Sequence, residues 1–184
     1  MRAAGHKEVM MNVIEMESYV YDYGEDLYRF CRSLARSREE AEDLYQETFL
    51  KFYEMGEKLE IRTNPKGCLM AISVNLYRNF KRKMAIRNRI AGTALLREDL
   101  PCADADASSL TLREEEYGAL VRAVNELADR YRLVILLHYR EDLPLEKVAK
   151  ILKIPKGTVK SRLHRAKKIL KKKLEDAHYE RSYE

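Results

Sequence analysis

The sequence predicts an all-α protein of two small helical domains joined by a flexible linker, the C-terminal one a helix-turn-helix. Three observations predict it. Apolar residues recur at i, i+3, i+4 and i+7 along most of the chain, the period of one helix face. The 184 residues hold only seven glycines and four prolines and no tryptophan, a composition better suited to helices than to a β-sandwich. The periodicity also lapses between 91 and 111, where Gly92, Pro101, Ser108 and Ser109 gather with Glu98, Asp99, Asp104 and Asp106 as a linker. A coil of about 20 residues spans about 25 Å and reaches about 70 Å when extended. The expected layout is an extension over 1–17, a first domain over 18–90, the linker over 91–111, a second domain over 112–176 and a tail over 177–184.

In the first domain Leu27, Phe30, Cys31, Leu34 and Ala35 form one helical stripe. Ser37 and Glu40 stand three apart as a capping box that starts the next helix, along which Ala41, Leu44, Tyr45, Thr48, Phe49 and Phe52 keep helical spacing. The pair reads as a helical hairpin whose outer face carries Glu42, Asp43, Gln46, Glu47 and Glu54. A loop over 56–67 ends in Asn64 and Pro65, an N-cap followed by proline at the first helical position. The helix that follows is expected to turn Leu69, Ile72, Ser73, Leu76 and Phe80 inward. Its end interleaves Asn75, Tyr77, Asn79 and Phe80 with Arg78, Lys81, Arg82 and Lys83. Amides and aromatics among cations suit single-stranded DNA, whose bases stack and whose phosphates need neutralising. A basic helix end that merely complements its own dipole fits the same residues.

In the second domain one stripe runs through Tyr117, Leu120, Val121, Val124 and Leu127, and another through Val134, Ile135 and His138. Leu145, Val148, Ala149 and Leu152 then mark a short helix, broken at Lys153-Ile154-Pro155 because proline cannot continue it. Beyond the break Val159, Leu163, Ala166, Leu170 and Leu174 share one face, and Ser161, His164, Arg165, Lys168 and Lys172 point the other way. Helix, tight turn and second helix is the layout that sets the second helix in a DNA major groove. Residues 144–173 hold 12 Lys or Arg and a single acid, Glu146, whereas 25–60 hold ten acids against six bases. The net charge of +5 therefore hides a segregated pattern, and the basic end supplies salt-sensitive affinity for nucleic acid. A solvated lysine face or a membrane-surface helix would explain the charge, but not the preceding helix and the short break.

Other chemistries find little support. Cys31, Cys68 and Cys102 are widely spaced with no CxxC, so neither a metal site nor a disulfide framework is expected, and Cys31 reads as a small core hydrophobe. His138 reads as a half-buried structural histidine and His164 as groove-facing; neither has a nucleophile or ligand partner in the pattern, so no catalytic residue and no cofactor is expected. No apolar run approaches the length of a membrane span and the start lacks a signal-peptide core, which points to the cytoplasm.

GTVKSRLHRAKKIL (157–170) closely resembles the promoter-reading helix of bacterial RNA polymerase sigma factors of the sigma-70 family, in the extracytoplasmic-function (ECF) subfamily. RYRLVILLHYREDLPLEKVAKILKIP (130–155) is similar to the rest of that family's region 4. EEAEDLYQETFLKFYE (39–54) resembles region 2.2, and 73–83 resembles region 2.4, which reads the melted minus-10 element. The resemblance covers about 27–174 and implies a non-enzymatic initiation factor. It would bind the clamp of the largest polymerase subunit through Asp43, Gln46 and Glu47, and the flap of the second-largest through region 4. It implies minus-10 contacts from Arg62, in the base-capturing loop over 58–63, and from Asn75, Arg78, Asn79 and Arg82. It implies minus-35 contacts from Lys160, Ser161, His164 and Arg165, with Lys156, Thr158 and Arg162 on phosphates. An anti-sigma factor is a usual partner in the family. The chain departs from the pattern in lacking tryptophans near 68–70 and near Tyr53, and in carrying Pro144 where many relatives have a capping serine. A homodimeric helix-turn-helix regulator with an N-terminal effector domain is the alternative; it calls for a dimerisation seam, which the sequence does not offer.

Overall fold

A computed structural model describes residues 13–56, 59–90 and 112–181. Among them there are eight α-helices and no strand: α1 (Val13–Leu34), α2 (Arg38–Glu54), α3 (Leu59–Thr63), α4 (Pro65–Ile90), α5 (Leu112–Asn125), α6 (Asp129–Ile135), α7 (Leu145–Leu152) and α8 (Lys156–Arg181). The expected linker at 91–111, most of the expected N-terminal extension and the last three residues lie outside the described residues.

The first half is an α1–α2 hairpin closed by α4. Its core is Leu27, Phe30, Cys31, Leu34, Ala41, Phe49, Phe52, Leu69, Met70 and Val74, with Ile61 of α3 filling one end. Burying such side chains contributes roughly 1.5–3 kcal/mol each. α1 begins at Val13, earlier than the boundary expected at residue 18. Met16, Tyr19 and Tyr23 carry the Leu27 stripe back by further turns and pack on the core, and Tyr19 meets the edge of Phe52 with ring centroids 5.2 Å apart. The capping box forms with one shift. Glu40 N–H donates to Ser37 Oγ (3.1 Å) as expected, but the Glu40 carboxylate accepts from the backbone N–H of Arg36, one residue before the cap (2.9 Å).

The loop expected over 56–67 contains the single helical turn of α3. α4 is rotated from its expected orientation: Leu69 and Ser73 are buried, but Met70, Val74 and Tyr77 complete the inward stripe and Phe80 is 41 % exposed. The reason is that α4 packs on both α1 and α2 and also against α7, so its apolar face is wider than one stripe.

In the second half α5 and α6 pack on α8, and α7 crosses it. Here too the first stripe is rotated. Ala123 and Leu127 are buried while Tyr117 and Leu120 are exposed. Leu133 to Leu137 are all buried, so this segment is surrounded by protein on every side, and the helix ends in a π-turn over Leu136–Arg140. The extra residue per turn lets Glu141 N–H reach Leu136 O and Leu143 N–H reach Leu137 O (both 3.1 Å), swinging the chain into α7. His138 is half-buried, as expected, and its Nδ1 lies 2.8 Å from Leu143 O, a bond that fits a proton on Nδ1. α8 runs to Arg181, past the point where a tail was expected.

The two halves lie against each other, α4 on α7, and polar side chains cross the seam. Lys147 Nζ donates to Asn64 Oδ1 (3.2 Å), and the guanidinium of Arg132 donates to Leu34 O (3.1 Å).

Candidate nucleic-acid interface

The helix-turn-helix is built from α7 and α8. Pro144 precedes α7 at φ −64° and ψ 153°, with no side-chain cap, in line with the loss of the serine. Its carbonyl accepts from the N–H groups of Lys147 (2.9 Å) and Val148 (3.1 Å), so the helix starts on backbone bonds and proline's preset φ. The turn is made by Lys153 in the left-handed region, φ 54° and ψ 47°. Ile154 N–H donates to Ala149 O (3.1 Å) and Lys153 N–H to Lys150 O (3.2 Å), the paired bonds of a Schellman ending, with lysine where glycine is preferred. Pro155 then accepts from Thr158 and Val159 N–H and opens α8.

α8 presents the face that its periodicity predicts. Val159, Leu163, Ala166 and Leu170 are buried against the other helices, and Lys160, Ser161, His164, Arg165, Lys168 and Lys172 are exposed. Thr158 and Arg162 are half-buried at the edge of this face. Ser161 Oγ donates to Thr158 O (3.0 Å), which leaves its lone pairs free to accept. Lys156 ion-pairs with Glu146 of α7, so the segment's single acid is spent holding the two helices together rather than opposing an anion at the exposed face. That ion pair pulls the Glu146 carboxyl below its ordinary value.

The expected minus-10 residues are less uniformly available. Arg62, Asn79 and Arg82 are exposed; Asn75 and Arg78 are half-buried. Arg82 Nη2 donates to Asn79 Oδ1 (3.1 Å), which holds the amide and the cation together on the last turns of α4. The guanidinium of Arg78 donates to Leu152 O at the end of α7 (3.3 Å); burial and then the neighbouring Arg162 push its pKa down. Tyr77, whose aromatic ring fitted base stacking, is only 6 % exposed. The cations of Lys81 and Arg132 lie 5.7 and 5.8 Å from its ring centroid, and its hydroxyl donates to Asp129 Oδ1 (2.9 Å). It is part of the seam between the halves and is closed to a base.

On α2 Asp43, Gln46 and Glu47 are all exposed and outside the core, as expected of a contact face. Asp43 and Glu47 share a small cavity of about 160 Å³ with Leu44, Leu76 and Phe80, while Gln46 lies toward α1, beside Tyr28 and Glu42. The sequence predicts Leu76 and Phe80 on the inward stripe; Leu76 is half-buried and Phe80 is an exposed apolar residue beside two carboxylates. The i, i+4 spacing of Leu76 and Phe80 was visible in the sequence, but not that Asp43 and Glu47 of α2 would be their neighbours.

The described residues contain no group of His, Cys, Asp or Glu fit to hold a metal ion, and no described helix is long and apolar enough to cross a membrane. Residues 20–86 match the family model of sigma-70 region 2 and residues 117–170 that of sigma-70 region 4. The ECF RNA polymerase sigma factor SigW of Bacillus subtilis is 31 % identical over 164 residues, covering 84 % of this chain and 86 % of that protein. This chain belongs to the ECF sigma factors of the sigma-70 family. SigX of the same organism is 27 % identical to this sigma factor over 159 residues, 85 % of this chain and 82 % of that one. Among solved structures, the sigma factor RpoE of Bartonella quintana, determined with the anti-sigma factor NepR, superposes with a TM-score of 0.64 at 27 % identity. That match covers 89 % of this chain and 98 % of RpoE. With membership in the family the dimeric-regulator alternative falls away.

Proposed function

We propose that this ECF sigma factor binds core RNA polymerase through the α2 face and reads promoters with two separate surfaces, α4 for the melted minus-10 element and α8 for the minus-35 element. The observation that carries the reading is the exposed cationic face of α8, with its back seated in a core and a tight turn to α7. An α-helix so displayed fits the major groove. Lys160, Ser161, His164 and Arg165, all exposed, are the candidates for base edges; exposed Lys156 and half-buried Thr158 and Arg162 are the candidates for phosphates. Asn75, Arg78, Asn79 and Arg82 recur at i, i+3, i+4 and i+7 along α4 as amides and cations suited to an opened strand, with Arg62 exposed on α3.

On α2, Asp43 and Glu47 border an apolar cavity, an arrangement that suits a partner helix carrying arginines around an apolar side chain. Such a helix fits the clamp of the largest polymerase subunit, with region 4 left to meet the flap of the second-largest. An anti-sigma factor as a further partner is supported by the RpoE–NepR complex of the solved relative. Catalysis, cofactor and metal have no part in this reading, and cytoplasmic location follows from a polymerase partner.

The experiment is reconstitution. The purified chain with core polymerase should initiate at specific start sites on genomic DNA, mapped by run-off sequencing. Asp43→Lys with Glu47→Lys should abolish co-purification with core while thermal unfolding stays nearly unchanged, because both side chains are exposed. Retained core binding, or loss of folding with core affinity kept, refutes the α2 assignment.

A further inference from the structure

The side chains that cross between the halves are not a random scatter of surface pairs. Arg132, on α6 of the second half, is 6 % exposed. Its guanidinium reaches the C-terminal end of α1, where Leu34 O is one of the carbonyls a helix leaves without an intrahelical partner. The same nitrogen donates to the Tyr77 hydroxyl (2.9 Å), which in turn donates to Asp129 Oδ1, and Lys81 of α4 approaches Asp129 at 3.6 Å. One relay of donors thus joins α1, α4 and α6.

A second tie lies on the π-turn side. Glu141 is 5 % exposed and meets Lys66 of α4 at 3.2 Å, and Lys66 also holds Asp26 of α1 at 2.9 Å. Burial raises the Glu141 carboxyl above its ordinary value despite the lysine. Lys66 is raised too: burial alone would lower it, but Asp26 and Glu141 outweigh that. The third crossing is the bond of Arg78 to the free carbonyl of Leu152. An arginine on the DNA-reading part of α4 is thereby occupied by the helix-turn-helix of its own chain.

We propose that these ties form a latch that keeps the free sigma factor closed, with Arg132 and Glu141 as its two bolts, and that the closed state withholds Arg78 from promoter DNA. The second clause rests on the minus-10 reading of α4 given above; the first does not. The ties are of the kind that opens. Charged groups separated from one another return to water, so ties of this type lose little net free energy on parting compared with apolar contacts. A partner that engages the halves separately then needs only a moderate preference for the open form to shift the population.

Small-angle scattering of the full-length chain tests the latch. A compact chain of 184 residues has a radius of gyration of about 16 Å, whereas halves parted on a coil of about 20 residues give about 20 Å or more. Wild type is expected near the lower value. Glu141→Lys sets a cation against Lys66, and Lys66→Glu sets an anion against Glu141, so each alone is expected to extend the chain. The double variant K66E/E141K, made with Asp26→Asn so that the new carboxylate at position 66 does not face a second one, restores opposite charges between 66 and 141 and is expected to return it to the compact value. Helicity by circular dichroism checks folding; if E141K loses it, Glu141→Gln, which keeps the shape and removes the charge, is measured in its place and is expected to extend the chain. A wild type already extended, a folded single variant that stays compact, or a double variant that stays extended overturns the latch.

A mixed-sequence 12-nucleotide single strand, followed by fluorescence anisotropy, reads the second clause. Opened variants should bind it about tenfold more tightly, the reciprocal of an open fraction of about one tenth, and Arg78→Ala in the opened chain should remove that gain. Opened chains that bind no better than a wild type that itself binds overturn the withholding of Arg78 alone, binding by neither form overturns the minus-10 reading, and the scattering result stands by itself in both cases.

Discussion

Arg165→Ala offers the sharpest separation of reading from holding. Arg165 is exposed on α8, one residue before buried Ala166 and on the same exposed face as Ser161 and His164. Truncating an exposed side chain in a helix changes stability by about 0.5 kcal/mol or less, and alanine is the better helix former. The whole effect should therefore appear in DNA recognition. A bidentate contact to guanine is worth about 1–3 kcal/mol of discrimination. At about 1.4 kcal/mol per factor of ten, that is a loss of about 5- to 150-fold at a preferred base pair and little at others. Arg162 supplies the contrast: half-buried at the rim of the face, it should hold a phosphate. Arg162→Ala should weaken all promoters alike and reduce the slope of log K against log salt by about 0.9. The assay is transcription by reconstituted holoenzyme from a template library randomised across the minus-35 region, read by sequencing the transcripts at several salt concentrations. Arg165→Ala should flatten preference at one or two positions and leave the others intact. Unchanged preferences with a uniform loss of activity would make Arg165 a phosphate clamp and refute its placement at a base edge.

Three further outcomes are expected. Lys153→Gly should stabilise the second half by about 1 kcal/mol, because φ 54° strains a side chain with a Cβ and suits glycine; calorimetry that shows no rise in Tm would mean that the lysine side chain offsets the strain. Cys31 should resist thiol reagents in the native chain while Cys68 reacts, since burial pushes the Cys31 thiol up to about 12 and only the thiolate attacks; mass mapping of fast labelling at Cys31 would contradict the packing of α1. Alanine at both Asn75 and Asn79 should reduce permanganate reactivity of unpaired thymines on duplex promoters more than on premelted templates, and equal reactivity of variant and wild type on duplex DNA would remove these amides from strand opening.

The sequence alone determined most of the helices and the exposed face of α8, because those depend on neighbours a few residues apart. The α8 stripe is the clearest instance: Val159, Leu163, Ala166 and Leu170 are buried and Ser161, His164 and Arg165 exposed, as a 3.6-residue period requires. The break at Lys153-Ile154-Pro155, the start of α2 at Ser37 and the missing cap at Pro144 were legible for the same reason. Asp43, Gln46 and Glu47 were legible as exposed, though the apolar cavity beside Asp43 and Glu47 was not. Tertiary structure decided which face of a helix is buried when more than one neighbour presses on it. α4 meets α1, α2 and α7, so Val74 and Tyr77 go inward and Phe80 stays out, and no period within α4 can report that. It also decided that Tyr77 joins Asp129 and Arg132 instead of facing a base, and that Glu141 finds Lys66. Those partners lie far apart along the chain, and a local pattern carries no information about which distant helix will arrive beside it.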